Sequence, residues 1–243
     1  MEKLTALITG ASRGIGCAVA RKMAENGINL VLICKSNIDK LNKLADELRN
    51  KYAISIETYK CDLSKKDEID ELYKSISCKV DFLVNNAGIC LDKEVKDREI
   101  DDFDSTFRLN LFAPFYLSKL FGKKMMENEF GKIINISSNN ATKCFYPTTI
   151  DYDSSKAGLD ILTKNLAIEF SPYVNVNAVA PGWIDTDMNG ELFTPDIMEL
   201  EKEKILKKRI GTPEDVANLV YFLVSKDADY INGEVITIDG GMF

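Results

Sequence analysis

Short apolar runs alternate along the chain with longer segments in which apolar residues recur three or four positions apart. The runs Leu4 to Thr9, Leu30 to Cys34, Ile54 to Tyr59, Val80 to Val84, Lys132 to Ile136, Val174 to Val179 and Val235 to Ile238 predict strands. Patterns such as Ile15-Val19-Met23 and Leu41-Leu44-Leu48 predict amphipathic helices between them. Connections this long allow right-handed crossovers, so the alternation implies an α/β fold with a doubly wound parallel sheet covered on both faces. No Pro/Gly/Ser-rich linker, repeat or shift in composition divides the chain, and one domain is expected. The charged stretch Glu199 to Arg209 reads as a solvated helix face. It lies between strand six and the last helix, at the end of the sheet where ligands bind, and a substrate lid at about 187–210 is expected there.

Composition removes several kinds of chemistry. At 243 residues and 45% hydrophobic content, the chain is long enough to bury a core. Its 31 basic and 38 acidic residues give a net charge of −7, leaving no broad basic face for a nucleic-acid backbone. Histidine is absent, which excludes Ser-His-Asp and Cys-His catalysis and His-ligated zinc or haem. No metal site is expected, and proton transfer must use other side chains. The six cysteines are scattered with no Cys-x-x-Cys pair and read as reduced packing thiols. No run approaches the roughly 18 apolar residues of a membrane span, and Met1-Glu2-Lys3 lacks a signal-peptide pattern. A soluble cytoplasmic protein without membrane contact is the expectation.

Directly after the first strand comes Thr9-Gly10-Ala11-Ser12-Arg13-Gly14-Ile15-Gly16, leading into a helix. A turn free of bulky side chains lets the backbone approach a pyrophosphate, which the helix N-terminus stabilises. The context of strand, turn and helix points to dinucleotide binding, and the spacing is not that of a P-loop. At the end of the second strand, Leu32-Ile33-Cys34-Lys35-Ser36-Asn37 contains no acid to accept from a ribose 2′-hydroxyl. Lys35, Ser36 and Arg13 offer donors suited to a 2′-phosphate, so NADP(H) is the expected cofactor. Ordinary surface charge is the alternative reading of Arg13 and Lys35.

Tyr152 and Lys156 stand four apart on a predicted helix and so share a face. The spacing alone means little, but Asn85-Asn86-Ala87-Gly88, Ser137-Ser138 and Pro181-Gly182 each follow the carboxyl end of a predicted strand. With these pieces in order, together with Asp62-Leu63, Asn110, Thr186 and Asp239-Gly240-Gly241, the chain resembles the short-chain dehydrogenase/reductase family over essentially its whole length. The resemblance implies a Rossmann-type seven-stranded sheet in three α/β/α layers, NAD(P)-dependent carbonyl/alcohol chemistry, and a homodimer or homotetramer. By the same resemblance Ser138 would bond the substrate oxygen, Lys156 would also hold the nicotinamide ribose, and Asn110 would help seat Lys156. Asp62 would meet the adenine; Asn86, Ala87 and Gly88 would support the cofactor; Leu63, Pro181, Gly182, Ile184 and Thr186 complete the expected binding set, with Gly10, Ser12, Gly14, Ile15 and Gly16 around the phosphates.

Elementary chemistry agrees on the tyrosine. Hydride transfer to a ketone makes an alkoxide, which needs a proton donor and hydrogen-bond donors. Without histidine, Tyr152 is the best candidate acid. Bringing a phenol from near 10 to about 7 needs roughly 4 kcal/mol. One cation about 4 Å away supplies around that at an effective dielectric near 20, and Lys156 is the expected cation.

One departure from the family pattern stands out: Ser138 to Tyr152 is one residue longer than usual, which leaves Ser137 as an alternative to Ser138. Asn175 to Met188 and Tyr230 to Glu234 look most like the 3-oxoacyl-(acyl-carrier-protein) reductases of fatty acid biosynthesis, but similar phrases occur in relatives acting on steroids, sugars and simple ketones. Where some carrier-protein reductases place arginines, this chain has Glu129 and Tyr173; Lys123, Lys124 and Lys132 are candidate substitutes for docking an acidic carrier. Phe145, Tyr146, Trp183, Met188 and Phe193 are candidate pocket walls, with plain packing the alternative. An NADPH-dependent ketoreductase acting on a 3-oxoacyl thioester leads; an idle NADPH-binding or scaffold protein is the reading from another class. The apolar last strand and Gly240 to Phe243 suggest a buried interface between copies of the chain.

Overall fold

The computed structural model describes residues 3–186 and 194–243. Seven parallel strands form one sheet: β1 (Thr5–Thr9), β2 (Asn29–Cys34), β3 (Ile56–Lys60), β4 (Phe82–Asn85), β5 (Gly131–Ile136), β6 (Val174–Pro181) and β7 (Val235–Ile238), in the order β3-β2-β1-β4-β5-β6-β7. Every expected strand is present, with shifted edges. β3 starts at Ile56 because the backbone N–H of Ile54 is spent on a turn to Tyr52 (2.8 Å). β4 starts at Phe82, just after Asp81, whose carboxylate accepts the N–H of Thr5 (2.9 Å).

Alternation along β1 divides the core. Ala6 and Ile8 point to one face, covered by α1 (Gly14–Glu25), α2 (Ile38–Lys51) and α8 (Pro213–Val224). Leu7 points to the other, covered by α3 (Lys66–Ser75), α5 (Ala113–Glu127) and α6 (Ile150–Glu169). Strands buried on both faces read as continuous apolar runs, which is why the sequence displays them so clearly. Each such Val, Leu or Ile contributes about 1.5–3 kcal/mol on burial. The short α4 (Ile100–Phe107) packs on α6 and passes through a π-helical turn, Arg108–Phe112, into α5. Strand order reverses between β1 and β4, so the ligand crevice of such a sheet falls at their carboxyl ends.

Two surface expectations are corrected. Lys132 is not available for docking: its side chain is 3% exposed and ion-paired with Asp229. Glu199 to Arg209 is not a uniformly solvated face either. α7 (Pro195–Glu203) ends inside it, and Glu201 and Ile205 are buried. Ile205 forms an antiparallel bridge with Met242, so the cover comes from residues far along the chain. Met188, Phe193 and the first part of the expected lid, 187–193, lie outside the described residues. All six cysteines are free, Cys34 and Cys61 buried and the others half-buried. Among the described residues no helix is long and apolar enough to cross a membrane.

Candidate active site

The nucleotide turn is held by side chains from two strands. Thr9 Oγ1 accepts the backbone N–H groups of Asn86 and Ala87, both at 2.9 Å. Asn86 Nδ2 donates back to the carbonyl oxygens of Thr9 (2.8 Å) and Gly10 (3.3 Å). Asn86 therefore braces the turn together with Thr9, whose hydroxyl has no role assignable from sequence alone. Gly10 and Gly14 adopt φ of 66° and 54°, the left-handed region open to glycine. A Cβ on Gly16 would lie 2.5 Å from both Asn86 Nδ2 and Gly10 O, so no side chain fits there.

α1 begins at Gly14 with Arg13 as its extended N-cap, no side-chain cap and no acid in the first turn. Its positive end is left for a ligand anion. Ser12 and Ile15 flank this start. At the end of β2, Ser36 is exposed and Lys35 pairs with Asp62 at 3.0 Å. Burial opposes the charge on Asp62, but hydrogen bonds from Ser64 and Lys35 outweigh it and hold the carboxyl below its usual range. Leu63 turns its side chain into the core, which leaves its backbone for any ligand contact. This donor set fits a dinucleotide: helix N–H groups for pyrophosphate, and Lys35 and Ser36 for a phosphate on the ribose.

Across the crevice, α6 carries Tyr152, Lys156 and Asp160 on successive turns. Lys156 is buried; its Nζ donates to the carbonyl of Ile136 at 2.7 Å and lies 5.6 Å from the Tyr152 ring centroid. Burial depresses this ammonium to about 8, with Asp160 working the other way. Burial also raises the Tyr152 phenol above its ordinary value, opposed by a hydrogen bond with Ser138. The expectation of a phenol already lowered by Lys156 is thus not met in the protein alone. The ammonium sits over the ring and spends one of its hydrogen bonds on Ile136 O.

The two serines separate cleanly. Ser137 extends the β5 ladder, its N–H donating to Val179 O (2.7 Å), and its Oγ donates to Asp160 Oδ1 (2.5 Å) inside the core. Ser138, one residue on, lies nearer the start of α6, where its Oγ accepts the N–H of Asn140 (3.2 Å) and meets the Tyr152 hydroxyl. Asn110, fully buried in the π-helical turn, accepts the N–H of Ile89 (2.9 Å) and donates to Ile89 O (2.8 Å) and Ser155 Oγ (3.1 Å). It makes no direct bond to Lys156. Gly88 lies between them: a Cβ there would be 3.2 Å from Asn110 Oδ1 and 3.7 Å from Lys156 Nζ.

Further residues frame the substrate side without having been singled out by sequence. Arg98 forms an ion pair with Asp151 (2.6 Å, side chains 2% and 0% exposed), and Asp151 also accepts from Thr106 Oγ1 (2.6 Å). Arg98 also donates to the carbonyls of Leu91 (3.1 Å) and Lys93 (2.8 Å), clamping the loop after β4 to the start of α6. Asp153 accepts from Asn140 Nδ2 (2.9 Å) and Thr149 Oγ1 (3.0 Å), fixing the loop between Ser138 and Tyr152. Cys90 lies close enough to influence Tyr152, but burial and the nearby acids push its thiol up to about 12, which keeps it unreactive. Beyond β6, Gly182 approaches Asp239, Ile184 bridges Gly211, and Thr186 reaches Gly14 at the start of α1. Phe145 is largely exposed, whereas Tyr146 and Trp183 are half-buried with ring centroids 5.9 Å apart.

A family model described as enoyl-(acyl carrier protein) reductase matches residues 10–243. A 3-oxoacyl-[acyl-carrier-protein] reductase of Rickettsia bellii is 43% identical over 239 residues, covering 98% of this chain and 96% of the relative. Among solved structures, YwfH, an NADPH-dependent reductase involved in bacilysin biosynthesis, superposes with a TM-score of 0.94 at 30% identity, covering 100% of this chain and 99% of that one. A 7α-hydroxysteroid dehydrogenase complexed with NADH and 7-oxo glycochenodeoxycholic acid gives a TM-score of 0.93 at 34% identity, covering 98% and 94%. The order of glycine turn, buried asparagine, serine, tyrosine and lysine is thus embedded in a sequence and a fold shared end to end with these reductases, and the chain belongs to the short-chain dehydrogenase/reductase family.

Proposed function

We propose that this protein reduces the 3-oxo group of an acyl thioester to the 3-hydroxy group with NADPH. The observation that carries the reading is the meeting of Ser138 with the Tyr152 hydroxyl, with Lys156 one helical turn away and Asn110 behind it. When bound, NADPH supplies the hydride to the carbonyl carbon. Ser138 and Tyr152 hold the carbonyl oxygen, and Tyr152 delivers its proton to that oxygen as the alkoxide forms. A phenol kept protonated at neutral pH is the form this direction requires. Lys156 then stabilises the phenolate, and Asn110 fixes Ile89 and Ser155 around it. The uncapped α1 would hold the pyrophosphate, with Arg13, Lys35 and Ser36 toward the 2′-phosphate and Asp62 orienting Lys35.

The thioester substrate is supported by the reductase of Rickettsia bellii, and NADPH by YwfH together with the acid-free end of β2. The description of the family model favours a second reading, reduction of an enoyl double bond. Following NADPH absorbance with acetoacetyl-CoA, crotonyl-CoA and a ketosteroid separates them: turnover of the first is expected, and turnover of crotonyl-CoA alone would overturn the ketoreductase reading. Tyr152→Phe should cut the rate by about 10²–10⁴-fold with NADPH affinity unchanged; near-normal turnover would remove Tyr152 as the acid. An acyl carrier protein remains the proposed thioester donor, with the exposed Lys123 and Lys124 the surface lysines left for it, Lys124 being paired with Glu127 at 2.9 Å. Free cysteines fit a reducing cytoplasm. A homo-oligomer is part of the proposal, with Ile168 and Phe243 (77% and 79% exposed) among the apolar side chains it would cover.

A further inference from the structure

Glu201 is an acid enclosed among aromatic groups, only 8% exposed. Its Oε2 accepts the indole N–H of Trp183 at 2.9 Å and lies 3.5 Å from the Tyr146 hydroxyl, while Lys204 donates to Oε1 at 2.6 Å. The three partners come from different places: Tyr146 from the loop between Ser138 and Tyr152, Trp183 from the carboxyl end of β6, and Lys204 from just beyond α7. A carboxylate removed from water is costly unless bonded, and Lys204, itself 47% exposed, supplies the countercharge. Burial and Glu201 together push the Tyr146 phenol up to about 12, so it stays a donor across neutral pH.

We infer that Glu201 is a positioning residue for the substrate pocket, orienting the Tyr146 and Trp183 rings as a two-ring wall beside the reacting centre. The backbones of both aromatics are fixed by other means. Tyr146 N donates to Asp153 Oδ2 (3.4 Å), next to Tyr152, and Trp183 O accepts from Gly211 N (2.9 Å). What Glu201 adds is ring orientation, because the polar atoms of both rings turn toward it. Part of the Trp183 ring packs against Ile205, Ile210 and Met242; the carbon the two rings have left would face a ligand, which matches an apolar flank on the substrate, such as an acyl chain or a fused alicyclic ring system. That last step rests on the ketoreductase reading; the orientation of the rings does not.

Trp183 is the single tryptophan in the sequence, so its emission reports this contact directly. In Glu201→Ala, the emission of the substrate-free enzyme should shift to the red. KM for acetoacetyl-CoA should rise about 5–10-fold, with kcat changed less than about 3-fold and NADPH affinity unchanged. Glu201→Gln, which keeps an acceptor for the indole, should fall between Ala and the parent. If the alanine variant fails to fold, Glu201→Gln alone and in a Trp183→Phe background decides: its KM effect should shrink once the indole is gone. Unchanged emission and KM, an undiminished effect without the indole, or a parallel decline of kcat, KM and NADPH affinity would overturn the assignment. If the parent reduces no ketone, the functional reading fails while the emission still tests ring orientation.

Discussion

Tyr152 and Lys156 share a helical face, yet burial moves their titrations in opposite directions, up for the phenol and down for the ammonium. The sign of the pH dependence follows. Lys156 carries its charge below about 8 and loses it as pH rises through that value, while Tyr152 keeps its proton throughout. The kcat/KM for ketone reduction, which reports groups of the free enzyme, should therefore fall above a midpoint near 8. A profile flat to pH about 10 would contradict this. The paired serines give a second test. Ser138→Ala should lose activity with thermal stability intact. Ser137→Ala should do the reverse, costing about 1–3 kcal/mol by leaving Asp160 without its donor, read from chemical denaturation. Sequence favours Ser138, which directly follows the strand, and leaves Ser137 as the alternative. The choice is made by their partners on α6: Ser137 is spent on Asp160 further along the helix, whereas Ser138 stands against Tyr152 near its start.

At the level of elements, strands and most helices were legible because their burial is dictated locally: two-faced strands are apolar throughout, and helices such as α2 show one stripe. What escaped depends on partners distant in sequence. Arg98 and Asp151 look like ordinary charges until the fold encloses both, and Lys132 looked like a docking residue until Asp229 covered it. Glu201 and Ile205 sat in a stretch that reads as solvated because their neighbours, Trp183 and Met242, lie elsewhere in the chain. Arg98→Ala should destabilise the protein by about 3–5 kcal/mol, since it strands a buried carboxylate at the first turn of α6. Thermal melting checks this, and a loss within experimental scatter would show that the pair matters little.

For the whole molecule, the doubly wound sheet brings the glycine turn of β1, the end of β2 and the Tyr152–Lys156 face of α6 to the same end of the sheet, an arrangement readable from motif order. The choice of cofactor depends on charge at its far end. Replacing Arg13 and Lys35 together by Ala should weaken NADPH by about 10–100-fold, as expected for losing charged hydrogen bonds to a phosphate, and weaken NADH far less. Equal losses in titrations of the two cofactors would defeat the assignment of a 2′-phosphate site. The carboxyl-terminal residues belong to this architecture as well. Gly240 and Gly241 accept the N–H groups of Lys207 and Leu206, and Phe243 donates to Lys204, the same residue that neutralises Glu201. Trimming residues 240–243, a routine step in preparing a protein, would remove the buttress under Lys204. If Glu201 positions the pocket wall as inferred, such trimming should raise KM for the ketone without touching the crevice.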